Sequence, residues 1–190
     1  MIADRHYAAE QESRSSDWDA ATYDRIADPM TRWGTSVLER LPLNGQERVL
    51  DAGCGSGRVT EHLCKRLPRG TVVALDLSSA MLAEAARRLA PFAGRVSFVR
   101  ADLARPLPLQ PVDAVFSTAT FHWVRDHDAL FANLADVLRP GGSLVAQCGG
   151  AGNIERIHAA ARAAGVDLDP TYFAAPVETA RRLRAAGFVD

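Results

Sequence analysis

The sequence is poor in cysteine, has no long apolar run and carries almost no net charge. Its three cysteines, at positions 54, 64 and 148, lack C-x-x-C spacing, which argues against a zinc site and against a disulfide framework. The N-terminus lacks the apolar core of a signal peptide, and no run reaches transmembrane length. A formal net charge of -1 gives no basic surface for nucleic acid or for an anionic membrane. We therefore expect a soluble, cytoplasmic protein with no metal, nucleic-acid or membrane partner.

The length and composition indicate one globular domain. The chain has 190 residues, of which 47% are hydrophobic and 24% are charged, and this is enough for a sizeable core. Residues 1–16 are polar and are predicted to form a flexible tail, which leaves 17–190 as the domain. Within it, residues 17–41 are predicted to be helical, with a helix start at Asp28-Pro29. This helical segment either folds over a ligand as a lid or docks on the core.

The stretch VLDAGCGSG, residues 49–57, is the strongest functional signal. It predicts a buried strand that ends in Asp51, then a turn with three alternating glycines, and then a helix with an apolar face. Glycine lets the backbone approach a ligand closely, and the first N–H groups of a helix attract an anionic group. We therefore expect a small-molecule site at Asp51, Gly53, Gly55 and Gly57.

The spacing of this stretch also indicates the class of ligand. The dinucleotide motif G-x-G-x-x-G would need a glycine at position 58, where this chain has Arg58, and Asp51 would repel a pyrophosphate. The same carboxylate attracts an ammonium group, while the helix start suits a carboxylate. A ligand with both groups, such as an amino-acid moiety, fits the motif, and a nicotinamide dinucleotide is the disfavoured alternative.

The next predicted strand, TVVALDL at 71–77, supplies a second carboxylate. Asp76 lies 21 positions after Gly55, which is where an acidic residue receives the hydroxyl groups of a ribose. The alternative for Asp76 is a helix-capping aspartate. Leu77 and Met81 either flank an adenine or belong to the core.

The fourth predicted strand runs into FSTATFHWV, residues 116–124. In open α/β sheets, ligands bind beyond the carboxyl ends of the strands, so Thr118, His122 and Trp123 are placed to face a ligand. His122 is either a general base for a hydroxyl acceptor or a packed histidine. Trp123 likewise either lines a substrate pocket or belongs to the core.

Together these stretches resemble the class I S-adenosylmethionine-dependent methyltransferases over almost the whole chain. VLDAGCGSG is similar to the first motif of that family, and the alternation of strands and helices is similar to its fold. The resemblance implies a Rossmann-like α/β fold, with a parallel sheet in the order 3-2-1-4-5 and helices on both faces. It also implies S-adenosylmethionine as cofactor, S-adenosylhomocysteine as product, and an adenine contact at Asp102, for which the alternative is a local turn cap. The implied cofactor-binding residues are Asp51, Gly53, Gly55, Gly57, Asp76, Leu77, Met81, Asp102, Leu103 and Thr118.

Three stretches, YDRIADPMTRWG, FSTATFHWV and LRPGGSLVAQ, resemble trans-aconitate methyltransferase-like proteins. This resemblance implies methyl transfer to an oxygen of a small metabolite, either a carboxylate, which needs no general base, or a hydroxyl. The implied substrate-binding residues are Tyr23, Trp33, His122 and Trp123, with His122 as the catalytic candidate. Arg32 and Arg125 are candidate counter-charges for an acidic acceptor.

The C-terminus departs from the family pattern. The family sheet finishes with a sixth and a seventh strand, whereas this chain ends near Gly187-Phe188-Val189, where a sixth strand would open. An uncovered edge of the fifth strand favours pairing with a second copy of the chain as a homodimer. The alternative function is therefore a non-catalytic module that binds S-adenosylmethionine or S-adenosylhomocysteine and is completed by another chain.

Overall fold

The computed structural model describes residues 28–166 and 171–189. Five parallel strands form one sheet in the order β3-β2-β1-β4-β5, which confirms the predicted sheet and its order. The strands are β1 (Arg48–Ala52), β2 (Thr71–Asp76), β3 (Val96–Arg100), β4 (Val112–Thr118) and β5 (Leu138–Gln147). The helices are α1 (Asp28–Leu38), α2 (Arg58–Arg66), α3 (Ser79–Arg88), α4 (His127–Val137), α5 (Glu155–Ala163) and α6 (Pro176–Ala185), and short 3₁₀ turns lie at Ala90–Phe92 and Phe121–Trp123. Within the described ranges, no helix combines the length and the apolar character that a membrane crossing requires.

Side chains of the central strands alternate between two cores, one on each face of the sheet. Val72 and Ala74 of β2 lie in the core with residues of α1, α2 and α3, whereas Val73 and Leu75 lie in the core with residues of α4. All four side chains are buried. Both faces of the sheet are therefore covered, as the continuous apolar run of β2 predicts.

Helix α1 lies against α2 and close to the end of β4. A Cβ added at Gly34 would lie 2.7 Å from Cγ2 of Val59 and 3.3 Å from the Thr118 hydroxyl oxygen. A residue without a side chain is therefore needed at this crossing. Trp33, one residue earlier, is 62% exposed. Residues 17–27 of the predicted lid lie outside the described residues, so the lid and the domain boundaries stay predictions.

The fifth strand starts earlier than its sequence predicts. The segment RPGG at 139–142 favours a helix stop and a turn, followed by a strand at 143–148. In the structure α4 ends at Val137 and β5 begins at once with Leu138, so the predicted turn is wrong. The segment instead forms an irregularity inside β5, where the register against β4 shifts between Leu138 and Ser143. A proline without an N–H and a glycine at φ 77° are tolerated there, because a bulge leaves residues unpaired.

The last described residues end a helix and do not open a sixth strand. Gly187 has φ 93°, and its amide donates to the carbonyl of Arg184 at 3.0 Å. The amide of Phe188 donates to the carbonyl of Leu183, also at 3.0 Å. These two bonds form a Schellman motif at the C-terminus of α6, and Phe188 and Leu183 pack against the same core. The strand predicted to open at 187–189 is therefore not formed among the described residues.

The outer edge of β5 is open in the part of the chain that the structure describes. β5 pairs with β4, and no described strand pairs with its other edge. A groove of about 1120 Å³ runs beside this edge, between β5, α6 and Phe188. An open edge presents unpaired N–H and C=O groups to another chain. Pairing of this edge with another chain stays a prediction.

Gly57 brings the start of α2 against α3, and this contact gives a test of the fold. Gly57 has φ 81°, and an added Cβ would lie 3.1 Å from Cα of Ala85. We expect Gly57→Ala to lower the free energy of unfolding by roughly 1–3 kcal/mol, because a left-handed non-glycine residue is strained. Gly94→Ala is the control, since no heavy atom lies within 4 Å of its added Cβ, and we expect a change within about 0.5 kcal/mol. Urea denaturation measures both, and equal stabilities of the two variants would contradict the packing role of Gly57.

Candidate functional site

The glycine turn after β1 is fixed by contacts with β2 and with the loop after β4. The amides of Gly53 and Cys54 donate to the carbonyl of Leu75 at 2.8 and 2.9 Å. Gly53 has φ 86°, and a Cβ added there would lie 2.2 Å from the side chain of Thr120. The Thr120 hydroxyl in turn donates to the carbonyl of Gly53 at 3.2 Å. Gly53 is therefore a packing position, and it places Thr120 directly on the turn.

Gly55 is the glycine of this turn that borders open space. It has φ 52°, and no heavy atom lies within 4 Å of a Cβ built on it. Its amide donates to Oδ2 of Asp76 at 2.9 Å. Gly57, by contrast, packs against α3. Gly55 therefore borders open space, whereas Gly53 and Gly57 are packing positions, and a ligand cradle at this turn stays a prediction.

Asp51 lies beneath the turn and is 3% exposed. Its Oδ2 accepts a hydrogen bond of 2.7 Å from the hydroxyl of Thr60, one turn into α2. Burial raises the pKa of Asp51 to about 7, and the negative charge of Asp76 adds to this, while the bond from Thr60 lowers the pKa. Asp51 is therefore a carboxyl group whose charge is incompletely compensated by the protein itself.

Asp76 joins the glycine turn to the start of α3. Its Oδ2 accepts from Gly55, and its Oδ1 accepts from the amide of Ser78 at 2.9 Å. The cap of α3 is Ser78, whose hydroxyl accepts from the amide of Met81 at 3.3 Å. Burial raises the pKa of Asp76, and the bonds from the Ser78 and Gly55 amides act in the opposite direction. The N-cap residue of α3 is therefore Ser78 and not Asp76. The carboxylate of Asp76 instead contacts the glycine turn.

The remaining predicted cofactor-binding residues differ in how exposed their side chains are. Leu77 is 39% exposed at the end of β2, whereas Met81 and Leu103 are buried. Asp102 is partly exposed, and its Oδ1 accepts a bond of 2.9 Å from the amide of Ala104. That bond is the local turn cap that the sequence offers as an alternative. Adenine contacts at these positions stay predictions.

The loop after β4 carries the predicted acceptor-side residues. Ala119 has φ 54°, a strained conformation for a residue with a side chain. Its amide donates to the carbonyl of Gln147 at the end of β5, at 2.8 Å. The Thr120 hydroxyl also donates to the carbonyl of Thr118 at 3.0 Å. The loop is therefore held between the ends of β4 and β5, beside the glycine turn.

His122 bridges the carboxyl ends of the same two strands. Its Nδ1 accepts a hydrogen bond of 3.3 Å from the amide of Gly149. Its ring stacks on Phe173 with 5.6 Å between ring centroids, and it lies 5.3 Å from the ring of Trp123. Burial, and then the neighbouring His127, lower the pKa of His122. The imidazole is therefore half-buried and fixed in orientation, and its surroundings favour the neutral form.

The sequence does not predict the segment that contacts His122, which contains Tyr172 and Phe173. The amide of Tyr172 donates to the carbonyl of His122 at 2.8 Å, and Phe173 stacks on the ring. Arg182 of α6 donates to the Tyr172 hydroxyl at 2.8 Å and pairs with Asp128 at 3.3 Å. Tyr172 and His122 are 50 positions apart, and a contact between such distant positions produces no periodic pattern in the sequence. The available signal is an aromatic pair in a short stretch between two prolines.

The other predicted substrate residues that the structure describes are exposed. Arg32 is exposed on α1 and lines a cleft of about 360 Å³ between α1 and α2. Trp33, Trp123 and Arg125 are exposed, and Tyr23 lies outside the described residues. No three His, Cys, Asp or Glu side chains in the described ranges are placed to hold a metal ion.

Known methyltransferases match this chain in sequence. The profile of the methyltransferase domain family matches residues 49–142, from β1 to the irregular part of β5. The chain is 44% identical over 132 residues to a trans-aconitate 2-methyltransferase of Methylobacterium nodulans. The profile match places the similarity to methyltransferases on the strands and turns that form the glycine turn and the loop after β4. The predicted class I S-adenosylmethionine-dependent methyltransferase family, close to the trans-aconitate methyltransferases, is thereby confirmed.

Solved methyltransferase structures share the fold. The complex of the Haloferax volcanii Trm112 methyltransferase activator with a methyltransferase matches with a TM-score of 0.73 and 23% identity, over 93% of this chain and 75% of that chain. An S-adenosylmethionine-dependent methyltransferase from Mesorhizobium loti matches with a TM-score of 0.65 and 27% identity, over 84% and 81% of the two chains. The Methylobacterium alignment covers 70% of this chain and 50% of that relative. The chain thus spans about half the length of the curated relatives it matches.

The raised pKa of Asp51 predicts a pH-dependent stability of this methyltransferase domain. The pKa in the folded state, about 7, is above the value of 3.8 for an unperturbed aspartate. The folded state therefore retains a proton that the unfolded state releases, and stability falls as pH rises from about 4 to about 7. We expect the free energy of unfolding of the wild type, relative to Asp51→Asn, to decrease over this range by an amount on the order of 4 kcal/mol at most.

Chemical denaturation at a series of pH values measures this difference. The control is Asp113→Asn, because the amide of Arg48 and the side chain of Arg139 lower the pKa of Asp113. The contribution of Asp113 is present above its unfolded pKa and is lost as pH falls, which is the opposite sign. Parallel pH profiles of the wild type and Asp51→Asn would show that the buried carboxyl has no raised pKa.

Proposed function

We propose that this chain binds S-adenosylmethionine at the glycine turn and transfers its methyl group to a carboxylate oxygen of a small metabolite. The observation that supports this most is the open space at Gly55, whose amide donates to the carboxylate of Asp76, in a turn that follows directly on the buried Asp51. A turn that presents two carboxyl groups with raised pKa values attracts a cationic ligand and disfavours a pyrophosphate.

The residues of the turn fit the proposed cofactor. A Cβ at Gly55 would occupy open space next to the backbone, which is where a ligand can approach closely. Asp76 keeps lone pairs on both carboxylate oxygens beyond the two amide bonds it accepts, so it can receive ribose hydroxyl groups. Leu77, which is partly exposed beside Asp76, offers an apolar surface for the base.

When bound, S-adenosylmethionine supplies an electrophilic methyl carbon, which bonds to the acceptor oxygen while the electron pair of its C–S bond stays on sulfur. The chain has to align the acceptor and exclude water. A carboxylate acceptor arrives ionised, so no proton has to be removed. A hydroxyl acceptor would need a general base, and His122 is the candidate for that alternative.

The relatives support an acidic acceptor. Several of the curated relatives are named trans-aconitate 2-methyltransferase, and trans-aconitate is a tricarboxylate. Arg32 on α1 and Arg125 after the loop of β4 are exposed cations. We propose them as counter-charges, and Tyr23, Trp33 and Trp123 as further acceptor contacts.

The second candidate function is a non-catalytic module that holds the cofactor and is completed by another chain. The open edge of β5 and the groove beside it favour this candidate, and a second copy of this chain is the proposed partner. Sedimentation at increasing protein concentration tests whether the chain forms a dimer.

A cytoplasmic location and the lack of a nucleic-acid partner stay predictions.

Cofactor binding is tested with two matched glycine variants. Gly55→Ala and Gly141→Ala both place an alanine at positive φ, at 52° and 77°, and neither added Cβ meets a heavy atom within 4 Å. Gly55 borders the cradle, whereas Gly141 lies at the opposite end of the sheet in the irregular part of β5. We expect similar losses of stability, of roughly 1 kcal/mol. We expect Gly55→Ala alone to weaken S-adenosylhomocysteine binding, by about tenfold or more, in titration calorimetry.

Equal affinities of the two variants would place the cofactor elsewhere, and tight binding of NAD without S-adenosylhomocysteine would overturn the assignment. A methyl-transfer assay with trans-aconitate and a panel of hydroxy acids then separates the two functions. Turnover on a carboxylate supports the enzyme, whereas cofactor binding without turnover on any acceptor supports the module.

A further inference from the structure

The orientation of the His122 ring is determined by three contacts. The amide of Gly149 donates to Nδ1 at 3.3 Å, and Phe173 stacks on the ring with planes inclined by only 20°. The carbonyl of His122 is itself held by the amide of Tyr172 at 2.8 Å. A flip of the ring would replace the acceptor Nδ1 by a C–H group and leave the Gly149 amide without its partner, which is unfavourable.

The contact with Gly149 also determines the position of the proton. A backbone N–H can only donate, so Nδ1 must be the unprotonated nitrogen, and its lone pair accepts this hydrogen bond. In a neutral imidazole the other nitrogen, Nε2, then carries the hydrogen. A ring in this tautomer offers a donor at Nε2 and has no free lone pair with which to take a proton from a substrate.

We propose that His122 acts as a hydrogen-bond donor that holds an anionic oxygen of the acceptor through Nε2–H, and not as a general base. This inference rests on the proposed function and makes the acceptor a carboxylate. The nucleophilic oxygen of a carboxylate must keep its lone pair for the methyl carbon. The Nε2–H group therefore binds the second oxygen of that carboxylate, or another carboxylate of the same acceptor, and no proton is transferred.

The position of the ring supports this role. His122 lies two residues after Thr120, whose hydroxyl contacts the glycine turn at Gly53. Gly149 lies two residues after the end of β5. The histidine therefore stands at the carboxyl ends of β4 and β5, beside the proposed cofactor cradle and at the edge where open α/β sheets bind ligands.

The first test reads the tautomer in the free protein. A long-range ¹H–¹⁵N correlation spectrum distinguishes protonated from unprotonated ring nitrogens, and the signals that disappear in His122→Gln assign this ring among the five histidines. We expect an unprotonated Nδ1 and a protonated Nε2, and the reverse pattern would overturn the proposal. Because this readout needs neither cofactor nor turnover, it is independent of the proposed function.

The second test uses two variants and trans-aconitate as acceptor. Gln can accept from the Gly149 amide and donate from its own amide group, whereas Phe keeps the stacking surface and does neither. We expect His122→Phe to raise KM for trans-aconitate by about tenfold to a hundredfold with a smaller change in kcat, and His122→Gln to stay within about threefold of the wild type.

Circular dichroism and melting temperature confirm that both variants fold. Equal losses of kcat in both variants would indicate a general base and overturn the donor role, and an unchanged KM in folded His122→Phe would do the same. If methyl transfer is absent from the wild type, the proposed function fails, while the tautomer spectrum still decides the proton position. Addition of trans-aconitate with S-adenosylhomocysteine present should then shift the His122 Nε2 signal if the donor is used, and an unchanged signal would overturn it.

Discussion

The hydrogen bond between the amide of Gly55 and the carboxylate of Asp76 is the constraint on which the site depends. It joins the turn after β1 to the end of β2 across 21 positions of sequence. The same carboxylate accepts the amide of Ser78 and so fixes the start of α3. Burial raises the pKa of Asp76, while these two bonds favour its ionised form. The shape of the turn therefore depends on a charged group that the fold only partly stabilises.

The sequence predicts the sheet because each strand has a local signal. Apolar runs of strand length, bounded by turns, identify strands that are buried on both faces, and the acidic residue at the end of β2 marks the edge where a ligand binds. The glycine spacing predicts the turn but not the separate roles of its three glycines. Those roles depend on Thr120 for Gly53 and on Ala85 for Gly57. Both contacts are tertiary, and no local pattern encodes them.

Local signals fail where a tertiary contact uses the same residues for another purpose. The RPGG segment is a good turn sequence, yet pairing with β4 draws it into an irregular strand. Phe188 has the character of a strand residue, yet it completes the end of α6. His122 is the most consequential case. A histidine at this position suggests a general base, whereas its Nδ1 accepts a hydrogen bond from the amide of Gly149, 27 positions away, which no local pattern predicts.

The glycine turn and the loop after β4 differ in charge. On the turn side, Asp51 is buried and Asp76 is half-buried, and desolvation raises the pKa of each carboxyl group. Ionised carboxylates in such surroundings are destabilising until a cation approaches. At the loop after β4, burial and His127 lower the pKa of His122 and so favour its neutral form. Under the proposed function, a cationic cofactor would meet negative charge, and an anionic acceptor would meet a neutral hydrogen-bond donor. That division of charge would suit a reaction between two charged reactants in which the protein moves no proton.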